Sequence, residues 1–160
     1  MKKSAFTMLE LVFVIVVVGI LAAVFIPKFE RDNAGEAAYQ LARHIRLAQH
    51  HALVYDTFGT SKKYGIDING TAKTYTVSDG QGGIVVDALT KKKLQNYDLK
   101  KNFGVSSVSG VNITFDHLGR PTPDANTTIT LEANGVEAKV MVYQETGFVK
   151  VTSIDGVNIP

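Results

Sequence analysis

The chain contains no cysteine. Disulfides, thiol catalysis and cysteine-ligated zinc are thereby excluded, and an exported domain built from it has to be held by its core alone. An excess of charge of one sign is also lacking. The 17 basic and 15 acidic side chains leave a formal +2, and loss of Lys2 and Lys3 would bring the remainder to neutral apart from its termini. Global charge therefore gives no argument for binding nucleic acid. No Gly-x-Ser-x-Gly elbow occurs, no motif sets a base beside a nucleophile, and the run Asp79-Gly80-Gln81-Gly82-Gly83 lacks the Gly-Lys-Ser/Thr of a phosphate loop. These absences argue against an enzyme and against a cofactor. With part of its 160 residues spent on the apolar segment described next, the chain has room for one soluble domain.

What the chain does have is a long apolar run. Phe6 to Pro27 reads FTMLELVFVIVVVGILAAVFIP and holds a single ionisable group, Glu10. At about 1.5 Å of rise per residue, a helix of roughly twenty residues crosses a bilayer core of about 30 Å. The lysines of the short stretch Met1-Lys2-Lys3-Ser4-Ala5 stay on the cytoplasmic side, which places the body of the chain outside. A secretory signal peptide is the rival reading. The run is longer than the apolar region of such a peptide, and Ile20 and Leu21 stand where a small-x-small site at Ala22-Ala23 needs small residues. Ser4-Ala5, the small pair that does look cleavable, lies ahead of the run, so a cut there leaves the apolar segment as an anchor. A single-pass protein that is never cut is a third reading. A carboxylate in a membrane helix costs on the order of 2.5 to 3.5 kcal/mol at the bilayer centre and less near an end, so Glu10 calls for a partner. A cut after Ala5 creates one in the amino group of Phe6; the plain alternative is a helix-end Glu that reaches the headgroups.

Ala5, then Phe6-Thr7-Met8-Leu9-Glu10, an apolar helix with Gly19, and Ile26-Pro27 at its end resemble the N-terminal segment of type IV pilins and of the pseudopilins of type II secretion systems. The family has Gly before the cut where this chain has Ala5. The resemblance implies a leader over residues 1–5, removed by a prepilin peptidase between Ala5 and Phe6, methylation of the new Phe6 N-terminus, and a transmembrane or filament-core helix over 6–27. It also implies that Glu10 matches the N-terminus of a neighbouring subunit as the helices bundle into a filament.

Pro27 lacks an N–H and disfavours helix at the residue before it, so a kink is expected there, with the helix resuming beyond. From Glu30 to about Tyr55, Ala34, Ala37, Ala38, Leu41, Ile45, Ala48 and Ala52 recur at three- and four-residue spacing. This predicts an amphipathic helix with a small-residue face, in a segment of residues 28–58. Through the proline the rod would be roughly 75 to 80 Å long. Residues 59–160 then read as an antiparallel β-domain. Tyr64 to Ile68 and Thr74 to Val77 flank Asn69-Gly70 as a hairpin, Ile84 to Val86 follow a flexible glycine-rich turn, and Val111 to Phe115 form another strand. The lysine-rich stretch from Ala88 to Ser109 is expected at the surface, with an edge strand or short helix in it. A turn at Asn134-Gly135 pairs Ala133 with Val136, Leu131 with Ala138 and Ile129 with Val140 on one face, and Phe148 to Val151 is the last strand before a polar tail. The fold class is α+β: a long N-terminal helix packed on antiparallel β-structure.

Leu41-Ala42-Arg43-His44-Ile45, Ile113-Thr114-Phe115-Asp116-His117-Leu118-Gly119-Arg120 and Thr146-Gly147-Phe148-Val149-Lys150 are similar to the H-type minor pseudopilins and their pilus-associated, GspH/FimT-like relatives. That resemblance implies a structural subunit of a periplasmic pseudopilus, working in protein secretion from the inner membrane. Its partners would be other pilins, and secreted cargo or the outer-membrane secretin. The alternative it implies is a minor pilin that binds DNA during uptake through Arg120, Lys150 and the lysine clusters. Relatives with that function carry Gly-Arg-x-Arg where this chain has Gly147-Phe148-Val149-Lys150. His44, His50 and His51 are spaced so that they do not share one metal ion, and a solvated or subunit-facing helix surface is expected for them. Asp116 and Asp124 supply too few oxygens to specify calcium, and a turn is expected there.

Overall fold

The computed structural model describes residues 7–25, 33–55 and 62–160, with residues 22–25 as backbone only. The chain divides into two compact units with the boundary after Arg31. The first contains α1 (Met8–Phe25), in which the side chains from Met8 to Leu21 are exposed and apolar apart from Glu10 and Gly19. A helix apolar on every side has no face that suits water. Among the described residues no helix is long and apolar enough to cross a membrane; the run Phe6–Pro27 continues outside them at each end. Pro27, and with it the expected kink and the continuous rod, also lies outside the described residues.

The second unit is built around α2 (Asn33–Val54). Ala34, Ala37, Ala38, Leu41, Ala42, Ile45, Ala48 and Ala52 are buried at the expected spacing. Alanine on that face keeps helix propensity high and lets strands approach the helix axis closely. The face packs against two five-stranded antiparallel sheets. The first sheet runs in the order β3 (Tyr97–Asp98), β2 (Thr74–Ser78), β1 (Gly65–Asn69), β5 (Ile113–Phe115), β6 (Pro121–Thr122). The second runs β10 (Val157–Asn158), β9 (Val149–Ile154), β8 (Val136–Val142), β7 (Thr127–Ala133), β4 (Val105–Ser109). Between β3 and β4 lies the short helix α3 (Leu99–Phe103), capped by the Asp98 carboxylate, which accepts the Lys101 N–H at 2.8 Å.

The central hairpin has the expected register: Ala133 faces Val136, Leu131 faces Ala138 and Ile129 faces Val140. Asn134 and Gly135 take φ of 54° and 79°, the mirror-image turn whose twist suits a two-residue hairpin. The first hairpin differs. Asn69 pairs with Thr74, so the connection is the four residues from Gly70 to Lys73, and Lys73 rather than Gly70 adopts positive φ. The Asn69 carboxamide accepts the Ala72 N–H at 2.9 Å and closes the wider turn. Ile84 and Val86 make isolated bridges to Ser78 and Lys93 in place of a strand. The stretch from Ala88 to Ser109 is less superficial than expected, because Leu94, Leu99, Val105 and Val108 enter the core while its lysines stay outside. The tail beyond Val151 continues β9 and turns into β10.

Candidate functional site

At the start of α1, the Thr7 hydroxyl and carbonyl both accept the Glu10 N–H, at 3.3 and 3.1 Å. Thr7-Met8-Leu9-Glu10 has the spacing of a capping box, with the acidic side chain in the first turn where the helix dipole favours it. Thr-x-x-Glu was legible in the sequence, and Thr7 caps the helix through the Glu10 backbone N–H while the Glu10 side chain is exposed. Ala5 and Phe6 lie outside the described residues.

Across α2 from the solvent lies a polar clasp. His44 is completely buried, not on a solvated surface as its helical position suggested. Its Nδ1 is 2.5 Å from the Tyr75 hydroxyl, and its Nε2 is 3.1 Å from Gln40 Nε2 and 2.9 Å from Arg43 Nη2. Gln40 Nε2 and Arg43 Nη2 are both donors, so Nε2 of His44 accepts and Nδ1–H donates to Tyr75, fixing a neutral ring. Burial, reinforced by the Arg43 charge and opposed by Asp87, lowers His44 from 6.5 to about 4. Tyr75 stacks on Tyr97, its partner across the β2–β3 pair, with centroids 5.1 Å apart, and burial raises the hydroxyl pKa of both.

Arg43 reaches past His44 to grip Asp87 with both terminal nitrogens, Nη2 at 3.0 and Nη1 at 3.3 Å. Burial pushes the Asp87 carboxyl up, but the Thr90 hydroxyl at 2.8 Å, Arg43 and the Leu89 N–H outweigh it and hold the group at about 2. Asp87 and Lys92 are also tied by backbone, and Leu94 bonds back to Val85. The segment from Val85 to Leu94 is therefore a clamped hairpin. It presents Leu89, which is 77% exposed, and the exposed side chains of Lys91, Lys92 and Lys93. The preceding glycine-rich run is organised too: the Asp79 carboxylate accepts the Gln81 and Gly83 N–H groups at 2.9 and 2.8 Å, which with Lys62 lowers its pKa.

Arg120 and Lys150 line different clefts. Arg120 borders a polar cavity of about 630 Å³ together with Asp116, Asp124, Gln144 and Glu145. Lys150 lines an adjoining groove of about 710 Å³ with Tyr143, Phe148, Asn126, Gln144 and Glu145. The two share only Gln144 and Glu145 and do not form one basic surface. The Asp116 carboxylate is spent on its own turn, accepting the Leu118 and Arg120 N–H groups at 2.9 and 2.8 Å. Gln49 of α2 ties that turn to the β8–β9 turn, donating to the carbonyls of Gly119 and Thr146, each at 2.9 Å. Among the described residues no group of three or more His, Asp or Glu side chains is placed to hold a metal. His50 is exposed and His51 stacks on Tyr55, with centroids 5.1 Å apart.

The crystal structure of the type IV minor pilin FimU from Pseudomonas aeruginosa is similar over 74% of this chain and 92% of FimU, with a TM-score of 0.52 and 16% identity. The fold is pilin-like. A second crystal form of FimU matches 78% of this chain and 91% of its own, with a TM-score of 0.52 at 15% identity. The minor pseudopilin EpsH from the Type 2 Secretion System of Vibrio cholerae matches 74% of this chain and 95% of its own, with a TM-score of 0.50 at 16% identity. No protein-family model matches the sequence, and no curated protein matches it. Within the pilin-like fold, the residues that sequence reasoning missed are those of the clasp. Its signal was present in Gln40, Arg43 and His44, three polar side chains at i, i+3 and i+4 beside an alanine face. Their partners Tyr75 and Asp87, however, come from β2 and the hairpin after it.

Proposed function

We propose that the chain is a minor pseudopilin, a structural subunit of a periplasmic pseudopilus assembled by a type II secretion system. Leader removal between Ala5 and Phe6 leaves the 6–27 segment as inner-membrane anchor and filament-core helix, and Glu10 pairs with the Phe6 amine of a neighbour. The domain beyond it contacts neighbouring subunits and cargo. The observation that carries this reading is the alanine-faced α2 laid against two antiparallel sheets, a pilin-like arrangement in a chain whose first thirty residues resemble a pilin N-terminus. The likeness to FimU and to EpsH is equally close, so the test has to separate a secretion filament from a surface pilus. Deletion of the chain is expected to stop export of secreted enzymes while leaving surface pili intact, and native co-purification is expected to recover other pseudopilins. Intact secretion with lost surface pili would move the subunit to a type IV pilus.

DNA binding is disfavoured by the surroundings of the expected contacts. Arg120 stands among three carboxylates, Asp116, Asp124 and Glu145, which repel phosphate. Lys150 shares its groove with Phe148 where the DNA-binding relatives are expected to have an arginine.

A further inference from the structure

We infer that the second unit carries two complementary surfaces on opposite flanks of α2, through which one copy of this chain docks side by side on another. The first surface is the clamped hairpin, with Leu89 at its tip and Lys91, Lys92 and Lys93 around it. Its only carboxylate, Asp87, is buried against Arg43, so the outward charge of the tip is uniformly positive. The second surface is the groove at the β8–β9 turn, where Phe148, 55% exposed, lies 6.1 Å from the half-buried Tyr143 ring. The Glu145 and Asp124 carboxylates sit along the groove and its adjoining cavity. Arg120 and Lys150 offset part of that charge but leave three carboxylates against two cations. An exposed leucine flanked by lysines thus matches an aromatic groove flanked by carboxylates in shape chemistry and in charge.

Like charge disfavours contact between two tips, and the placement excludes a closed two-fold pair in which both tip–groove contacts form at once. His51 borders the hairpin's side of α2, lining a cleft with Ala88 and Lys91. Gln49 and Leu53 border the other side, against Gly119 and the β8–β9 turn. At about 100° per residue, side chains two positions apart project about 160° from each other around the helix. Tip and groove therefore face away from one another, and their union is head-to-tail, which leaves a tip free at one end and a groove at the other. The clamp matters because a tip already held by Arg43, Thr90 and backbone bonds loses little freedom on docking.

Because the chain lacks cysteine, single thiols report this contact cleanly. Full-length Leu89→Cys and Glu145→Cys proteins are co-expressed in the membranes of a host with no secretion or pilus filament and then oxidised. The mixture is expected to give a disulfide-linked dimer at several times the yield of either variant by itself. In a parallel set, Lys92→Glu and Asp124→Lys are each introduced into both cross-linking partners, and each is expected to lower the dimer yield about threefold. Placing Lys92→Glu on the Leu89→Cys chain and Asp124→Lys on the Glu145→Cys chain is expected to restore it. Equal dimer from each thiol variant by itself, no dimer from the mixture, an adduct with a host protein in its place, or no rescue by the paired charge swap would each overturn the inference. Since no other filament subunit is present, its failure here leaves the pseudopilus reading standing, and its success does not depend on that reading.

Discussion

Acidification from pH 7.5 to 4.5 is expected to cost the folded second unit about 2 to 3 kcal/mol through His44. The ring is neutral in the folded state with a pKa of about 4, against 6.5 when unfolded. The unfolded chain therefore binds the proton first. Stability is complete above pH 6.5, declines as pH falls from there, and levels off below about 4, with a full span of about 3 kcal/mol at about 1.36 kcal/mol per pH unit. The geometry explains the size of the effect. Protonation puts a hydrogen on Nε2, where Gln40 and the Arg43 guanidinium already point their own hydrogens, while Nδ1–H remains on Tyr75. Asp87 does not share this window, because it titrates between 3.8 and about 2 and loses its contribution only at still lower pH. The assay is urea denaturation of a fragment from Asp32 to Pro160, followed by circular dichroism at several pH values. His44→Gln, which keeps polar atoms at the site but does not titrate, is expected to be less stable at pH 7.5 and to fall much less steeply down to 4.5, the remaining slope coming from His51, whose pKa burial and then His50 also lower. A wild-type profile as flat as that of His44→Gln would refute the tautomer and the clasp drawn from it.

Gly147→Ala is expected to destabilise the unit by about 2 kcal/mol or more, read as a fall in thermal midpoint. Gly147 has φ of 65°, and a Cβ there would run into the Gly119 carbonyl oxygen and sit 3.1 Å from the Phe115 ring. Glu10→Gln is expected to leave membrane insertion and leader processing unchanged and to reduce cross-linking to neighbouring pilins, because it keeps the size of the side chain and removes the charge; wild-type cross-linking would make Glu10 a tolerated helix-end charge. The 32–160 fragment is expected to bind duplex DNA weakly, and Arg120→Ala to change that little, by titration at low and at moderate salt.

Where sequence pattern and burial follow one period, the fold was readable in advance. The alternation in Thr127–Val142 fixed its own register, since a slip by one residue would have turned Ile129 and Leu131 to water. The alanine spacing likewise located the buried face of α2. What the sequence hid were contacts between distant segments. His44 looked like a surface residue because its helical neighbours Arg43, Arg46 and Gln49 are polar, and nothing local announces that Tyr75 and Asp87 arrive to satisfy it. The lysines between 91 and 101 masked Leu94 and Leu99 in the same way, by making a core-contributing stretch read as solvated. Of the expected site residues, Glu10, Arg120 and Lys150 were placed, whereas Arg120 and Lys150 were not brought together. The carboxylates that separate them come from turns whose meeting depends on Gln49.

The alanine face of α2 has a mechanical consequence. Small side chains fit closely but interlock little, so a pull along the helix axis meets few obstacles over Ala34, Ala37 and Ala38. The attachments that resist sliding are Arg43 on Asp87, His44 on Tyr75, Arg46 on the Val149 carbonyl at 2.6 Å, and Gln49 on two turns. They fall within seven residues, six helical steps or about 9 Å. Tension applied at the N-terminal end of α2 would pass into the sheets through that short collar, and the turns ahead of it would be the first to strain.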